Sequence, residues 1–147
     1  MIEVKNIKKS YGDRVVLNNV NLQFQKNNIT VLLGKSGEGK TTLFRIIAGI
    51  EAQDEGQVVI DNSKTTMVFQ DNQLYPHLNV FNNLVLPQRV ILKRNKKEAT
   101  IVSESILKRL NIEYLKYSTV ESLSGGEAQR VAIARALAMD KDIILFD

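Results

Sequence analysis

Val20, Leu22 and Phe24 alternate with Asn21, Gln23 and Gln25, the period of two that lays one face of a strand on a core. Residues 15–17, which follow the turn signal Tyr11-Gly12-Asp13, are expected to be its hairpin partner. Asn27-Asn28 marks another turn. Residues 29–33 form a short β-branched run that predicts a strand buried on both faces. Leu43, Ile46, Ile47 and Ile50 then recur at helical spacing directly after a glycine-rich stretch, with Gly49 near the helix end. Residues 58–60 and 66–69 predict two more strands, separated by the polar turn Asp61-Asn62-Ser63.

From about residue 71 to 122 the strand signals stop. A polar, asparagine-containing loop with Pro76 and Pro87 is expected, then a helix with Val102, Ile106, Leu107 and Leu110 on one face and Ile101, Ser105 and Lys108 on the other. Residues 123–126 read as a loop and residues 127–139, rich in Ala, Arg and Leu, as a helix. The apolar run Ile143-Ile144-Leu145-Phe146 stops at Asp147, and strand ends of this kind are where α/β proteins place ligand sites. Strands, glycine loop and helices in this order predict an α/β core with a mostly parallel sheet and a helical insert. Ending on a core strand predicts the first part of a larger domain.

Composition narrows the chemistry. The 147 residues suit one domain, and 44% hydrophobic with 24% charged residues is globular composition. Having no Cys excludes disulfides, thiolate metal sites and a Cys nucleophile, and a single His argues against a histidine metal site. A net charge of +4 permits an acidic partner without demanding one. No apolar run is long enough to span a membrane, and the first residues have no secretory pattern, so a cytosolic location is expected. His77, and the cluster Arg89, Lys93, Arg94, Lys96 and Lys97, read as solvated surface.

Gly34-Lys35-Ser36-Gly37-Glu38-Gly39-Lys40-Thr41 fits the phosphate-loop pattern G-x-x-x-x-G-K-[ST], between a predicted strand and a predicted helix. Glycines let successive amides curl around a phosphate chain, and the helix that follows points its positive end at the anion. Lys40 would reach the β- and γ-phosphates, and the Thr41 hydroxyl would ligate Mg²⁺. Glu38 is out of place, since an acid inside an anion-binding loop weakens binding unless its side chain points out.

Three further segments complete a family pattern. Leu123-Ser124-Gly125-Gly126-Glu127, continuing Ala128-Gln129-Arg130-Val131-Ala132-Ile133-Ala134-Arg135-Ala136-Leu137, resembles the signature sequence of ABC-type ATPases. Gln70 resembles that family's Q-loop glutamine, and residues 143–147 resemble its Walker B strand. The resemblance covers essentially the whole chain; Glu127 stands where Gln is commoner. It implies a P-loop NTPase core with an N-terminal antiparallel β subdomain and an inserted helical subdomain. On this reading residues 1–70 and 127–147 make the core, and residues 71–126 make the helical subdomain.

What the resemblance implies residue by residue is as follows. Tyr11 stacks on adenine, and Gly34, Lys35, Ser36, Gly37, Glu38, Gly39, Lys40, Thr41 and Thr42 hold the phosphates of ATP. Thr41, Gln70 and Asp147 serve Mg²⁺, with Lys40, Gln70 and Asp147 the catalytic residues within these 147 residues. The Ser124-Gly125-Gly126 turn, with its amides, hydroxyl and helix dipole, is a second anion site. Two phosphate grips do not easily serve one nucleotide in one chain, so a head-to-tail dimer is expected, of two copies or with a second ATP-binding subunit. The family's catalytic glutamate and later histidine are expected beyond Asp147. The leading expectation is an ATP-hydrolysing subunit of an importer on the cytoplasmic face of the membrane. It would be joined to integral membrane permeases and, indirectly, to a solute-binding protein. Residues 74–80 and 138–147 resemble the polar amino acid importers, and no nucleic acid partner is expected. The rival expectations are a soluble ABC ATPase acting on nucleic acid or ribosomes, and an inactive nucleotide-binding fragment.

Overall fold

The computed structural model describes residues 2–25, 27–60 and 65–147, so the turn expected at Asp61-Asn62-Ser63 lies outside the described residues. The chain divides into two compact units, residues 1–67 together with Asp147, and residues 68–146.

The first unit is built on an antiparallel sheet of β1 (Ile2–Tyr11), β2 (Arg14–Phe24) and β3 (Glu55–Ile60), in the order β2-β1-β3. The hairpin closes between Tyr11 and Arg14, with Gly12 at φ 56. Residues 15–17 and 20–24 are therefore one strand, not hairpin partners as expected. The polar Asn18-Asn19 step resembles a turn in sequence but is a bulge. Between the pairs Ile7–Val20 and Lys9–Leu17, β2 carries one more residue than β1, and Asn19 takes up the irregularity at φ 53. Asn6, also at φ 53, makes the matching irregularity on β1, where its N–H donates to Asn21 Oδ1 at 2.9 Å. Asparagine tolerates this left-handed conformation better than most side chains.

Helix α1 (Lys40–Ile47) buries Leu43, Ile46 and Ile47. It ends sooner than the hydrophobic spacing implied. The chain leaves through Gly49 at φ 72, and Ile50 is 56% exposed. Residues 29–33 depart furthest from expectation. They form no strand, and Ile29 is 96% exposed. A strand buried on both faces needs a neighbour on each side, and among the described residues no strand pairs with this run.

Strand β4 (Thr65–Val68) leads into the second unit and is paired with β5 (Ile143–Phe146) in a two-stranded sheet. Between them come α2 (Val80–Val90), α3 (Lys96–Arg109) and α4 (Gly125–Ala138). Val80 and Leu84 of α2, Ile106 and Leu107 of α3 and Val131, Ala134 and Ala138 of α4 form one buried cluster, with Ile112 and Leu115. Val68, Ala132 and Ala136 form a second, and Leu74 packs against both. Alanines on α4 keep its surface low, so larger side chains from the other helices fit against it.

The α/β class, the N-terminal antiparallel sheet and the helical part are present as expected. Helix α2 was not expected, because Pro87 and the polar residues Asn83 and Gln88 masked its period. Yet Val80, Asn83, Leu84, Pro87 and Gln88 all lie on its buried face at helical spacing. Asn79 starts the helix by accepting the Asn82 N–H at 2.8 Å. Inside it, Gln88 Nε2 donates to Leu84 O at 2.9 Å and to Ser103 Oγ of α3 at 2.9 Å. Buried polar groups satisfied this way bind α2 to α3 without disturbing the core.

Candidate functional site

Residues 34–39 are an irregular loop leading into α1. Gly39 caps that helix at φ 86 and offers it no side chain. A Cβ there would lie 2.8 Å from Val16 Cγ1 and 2.9 Å from Leu17 Cδ2, so the loop can pass this close to β2 only as glycine. A helix start lacks intrahelical partners for its first amides. No side chain caps α1, and there is no acidic residue in its first turn. Amides and dipole together make an anion site.

The loop's own side chains occupy that site. Lys40 Nζ donates to Gly34 O at 2.8 Å and to Lys35 O at 2.6 Å, so the ammonium lies across the loop. Glu38 folds inward. Its Oε2 accepts the Lys35 N–H at 2.7 Å and sits 2.6 Å from where a Cβ on Gly34 would be. An anionic oxygen is thus held against a loop amide, which is what a phosphate oxygen would do. Arg14 Nη2, from the start of β2, donates to Gly37 O at 3.3 Å and steadies the loop from outside.

Thr41 Oγ1 donates to Asp147 Oδ1 at 2.7 Å, which brings together two residues far apart in the chain. Both are hard oxygen donors. Their separation is close to the ~3 Å between adjacent ligands of an octahedral Mg²⁺. Among the described residues no group of three His, Cys, Asp or Glu could hold a metal. By their chemistry and separation the pair fits a hard cation such as Mg²⁺, which would take water and phosphate oxygens as its other ligands. Tyr11, at the end of β1, donates its hydroxyl to Glu51 and is 48% exposed, with Lys9 Nζ 5.4 Å from the ring centroid. These expected residues, Tyr11, residues 34–42 and Asp147, all fall in the first unit.

Gln70, Ser124, Gly125 and Gly126 fall in the second unit. Gln70 is exposed in the turn after β4. Ser124 caps α4 in a reciprocal capping box with Glu127. Glu127 Oε2 accepts the Ser124 N–H at 2.9 Å and its hydroxyl at 2.7 Å, and Oε1 accepts the Tyr114 hydroxyl at 3.0 Å. The Ser124 hydroxyl first, then its amide and Tyr114, hold the Glu127 carboxyl below the usual carboxylate range. Gly125 and Gly126 lie in the first turn of α4, and a Cβ on either would meet nothing within 4 Å, so this face is open.

Two expected surface groups behave differently from one another. His77 is exposed, its ring 6.2 Å from that of Tyr75. Arg94, expected among solvated basic residues, is instead structural. It donates to Gln88 Oε1 at 2.9 Å and to Ala138 O at 2.8 Å. Sequence reasoning also missed Asn83 and Arg135, which hold the segment after Gln70. No spacing signals such roles: Arg135 acts on backbone atoms more than sixty residues away, and Asn83 on an irregular loop before its own helix.

A family model described as ABC transporter matches residues 17–147. The chain belongs to the ABC transporter ATP-binding family. This ABC chain is 38% identical over 161 residues to the glutamate/aspartate import ATP-binding protein GltL of Escherichia coli K12, covering all of the chain and 67% of GltL. It is also 38% identical over 159 residues to the sulfate/thiosulfate import ATP-binding protein CysA 1 of Chromobacterium violaceum, covering 99% of the chain and 44% of that protein. Among solved structures, the dimeric ATP-binding cassette MJ0796 in a post-hydrolysis state with ADP and Pi matches with TM-score 0.90 and 34% identity, over all of this chain and 73% of that one. The ABC chain thus spans about two thirds of the length of GltL.

Proposed function

We propose that this chain is the ATP-binding and ATP-hydrolysing energy-coupling subunit of an ABC importer. The observation that carries the reading is the phosphate loop. Free amides lead α1, Lys40 lies across the loop, and the Thr41 hydroxyl and Asp147 carboxylate meet at its far side. In this reading the amides of residues 34–42 and the Lys40 ammonium hold the triphosphate of ATP. The exposed face of Tyr11 stacks on the base. Thr41 and Asp147 hold Mg²⁺, which when bound neutralises charge on the phosphates. Gln70 orients the attacking water and responds to the metal. Lys40 must leave the carbonyls of Gly34 and Lys35 to meet phosphate oxygens, exchanging neutral acceptors for charged ones.

The open Ser124-Gly125-Gly126 turn is a second anion grip, and it supports pairing with a second ATP-binding copy, head to tail. Each signature turn would cover the γ-phosphate held by the other copy. Likeness to the dimeric MJ0796 cassette supports a dimer. Closing and reopening of the pair would pass through residues 71–126 to integral membrane permeases, which places the chain peripherally on the cytoplasmic face. Likeness to GltL supports a polar amino acid as the solute, although CysA 1 is equally similar in identity.

The test is ATP binding by the Lys40→Ala variant, measured by calorimetry in the presence of Mg²⁺. Loss of measurable binding is expected. Binding equal to that of the unchanged chain, with the fold intact by circular dichroism, would remove the basis of the proposal.

A further inference from the structure

Within the second unit, the segment after Gln70 is held in an unusual way. Asn72 and Gln73 both adopt the left-handed conformation, at φ 60 and φ 42. Two adjacent non-glycine residues in this region are costly and persist only where the surroundings hold them. Their carbonyls are received by one side chain, Arg135 of α4. Nη1 donates to Gln73 O at 2.7 Å and Nη2 to Asn72 O at 3.0 Å. The guanidinium also lies 5.4 Å from the centre of the Tyr75 ring. The Asn72 side-chain oxygen is buried without a hydrogen-bond partner, so the backbone carbonyls carry the hold.

The other end of the segment is pinned separately. Asn83 of α2 accepts the Tyr75 N–H at 2.8 Å and donates to Tyr75 O and Leu78 O, both at 3.2 Å. Arg135 is thus the hydrogen-bonding link from this loop to α4, beside the packing of Leu74 against the clusters that α4 lines. That helix is a single run of 14 residues, and its N-cap is Ser124. Eleven residues separate Ser124 from Arg135, about three turns, so both lie on one side of a rigid rod.

We propose that Arg135 is a positioning residue, which fixes the loop carrying Gln70 to the helix that begins at the signature turn, so that the two move as one piece. The inference rests on the ATPase reading, because it gives Gln70 and Ser124 their roles. Its content is mechanical. A change felt at Ser124 reaches the Gln70 loop through α4 and the Arg135 fork, and a change felt at Gln70 returns the same way. Lysine cannot substitute, because it offers a point charge where two adjacent carbonyls need a planar fork.

The experiment is amide hydrogen exchange by mass spectrometry on the full chain and its Arg135→Lys and Arg135→Ala variants. Exchange in residues 71–75 should quicken at least tenfold in both, while α2 and α3 keep their protection. Methylguanidinium at low millimolar concentration should restore slow exchange at 71–75 in Arg135→Ala and do nothing in Arg135→Lys, where the stem fills the site. That selective rescue would show that the guanidinium itself holds the segment, which a general loss of packing around position 135 would not allow. Unchanged exchange at 71–75 would overturn the inference, as would even loss of protection across residues 68–146 or failure of rescue. If Arg135→Ala does not fold, Arg135→Lys decides alone: quickening confined to 71–75 supports the fork, and wild-type exchange overturns it. ATP binding by Lys40→Ala reports on the nucleotide site independently, so either idea can fail without the other.

Discussion

Glu38 gives the sharpest quantitative expectation. Its carboxylate holds the Lys35 N–H at 2.7 Å, inside the loop proposed to take up a phosphate chain. Before an anion can use that amide, the carboxylate must leave it. A hydrogen bond to a charged group is worth about 1.5–3 kcal/mol. The loop is solvent-exposed, so the low end applies. Once displaced, the carboxylate still stands near a polyanion and repels it, an effect that water and salt largely screen. Giving up the bond therefore costs about 1.5 kcal/mol, close to a factor of ten in affinity. Glu38→Ser removes the competitor and should tighten ATP binding about tenfold. Glu38→Gln keeps a neutral acceptor of the same shape and should gain about threefold. Calorimetric titration with ATP and Mg²⁺ at 0.15 M salt measures both. An affinity in Glu38→Ser equal to or weaker than that of the unchanged chain, with the fold retained, would refute the reasoning. It would mean that the inward carboxylate supports the loop instead of competing for it.

Two further expectations concern the second unit. Asn83 is fully buried, and its carboxamide serves Tyr75 N–H, Tyr75 O, Leu78 O and Asn79 O. Asn83→Ala would strand these groups, and urea unfolding should show a loss of about 3 kcal/mol with an unchanged m-value. The carboxyl of Glu127 is held below its usual range chiefly by the Ser124 hydroxyl and amide, so its charged form is favoured by the fold. A carboxyl lowered on folding stabilises above its unfolded pKa, and that contribution is lost as pH falls through the folded value. Amides at the start of α4 should therefore exchange faster, after correction for intrinsic rates, as pH is lowered through the acidic range. Glu127→Gln should keep the cap and abolish that pH dependence, followed by NMR.

What could be read along the chain was chemistry held in contiguous residues. The loop pattern is legible because it lies in contiguous residues, with glycines such as Gly39 where φ is 86 and β2 leaves no room for a Cβ. The signature turn is legible for the same reason, since Ser124 and Glu127 satisfy each other three residues apart. Strands with clean alternation and helices with clean period followed. Helix α2 escaped because Asn83 and Gln88 break the hydrophobic pattern, although burial with full hydrogen bonding makes them core residues. Residues 29–33 misled in the opposite sense, because an apolar run states a preference for burial but cannot supply the partner strands.

Sequence by itself marked where free amides and helix starts gather, since backbone amides and helix ends are local properties. Tertiary structure alone decided which side chains meet there. It set Thr41 against Asp147, and clasped the loop after Gln70 with an arginine 62 residues further along from Gln73. Such contacts depend on how whole elements pack, and nothing in the spacing of the residues encodes the distance between them in space.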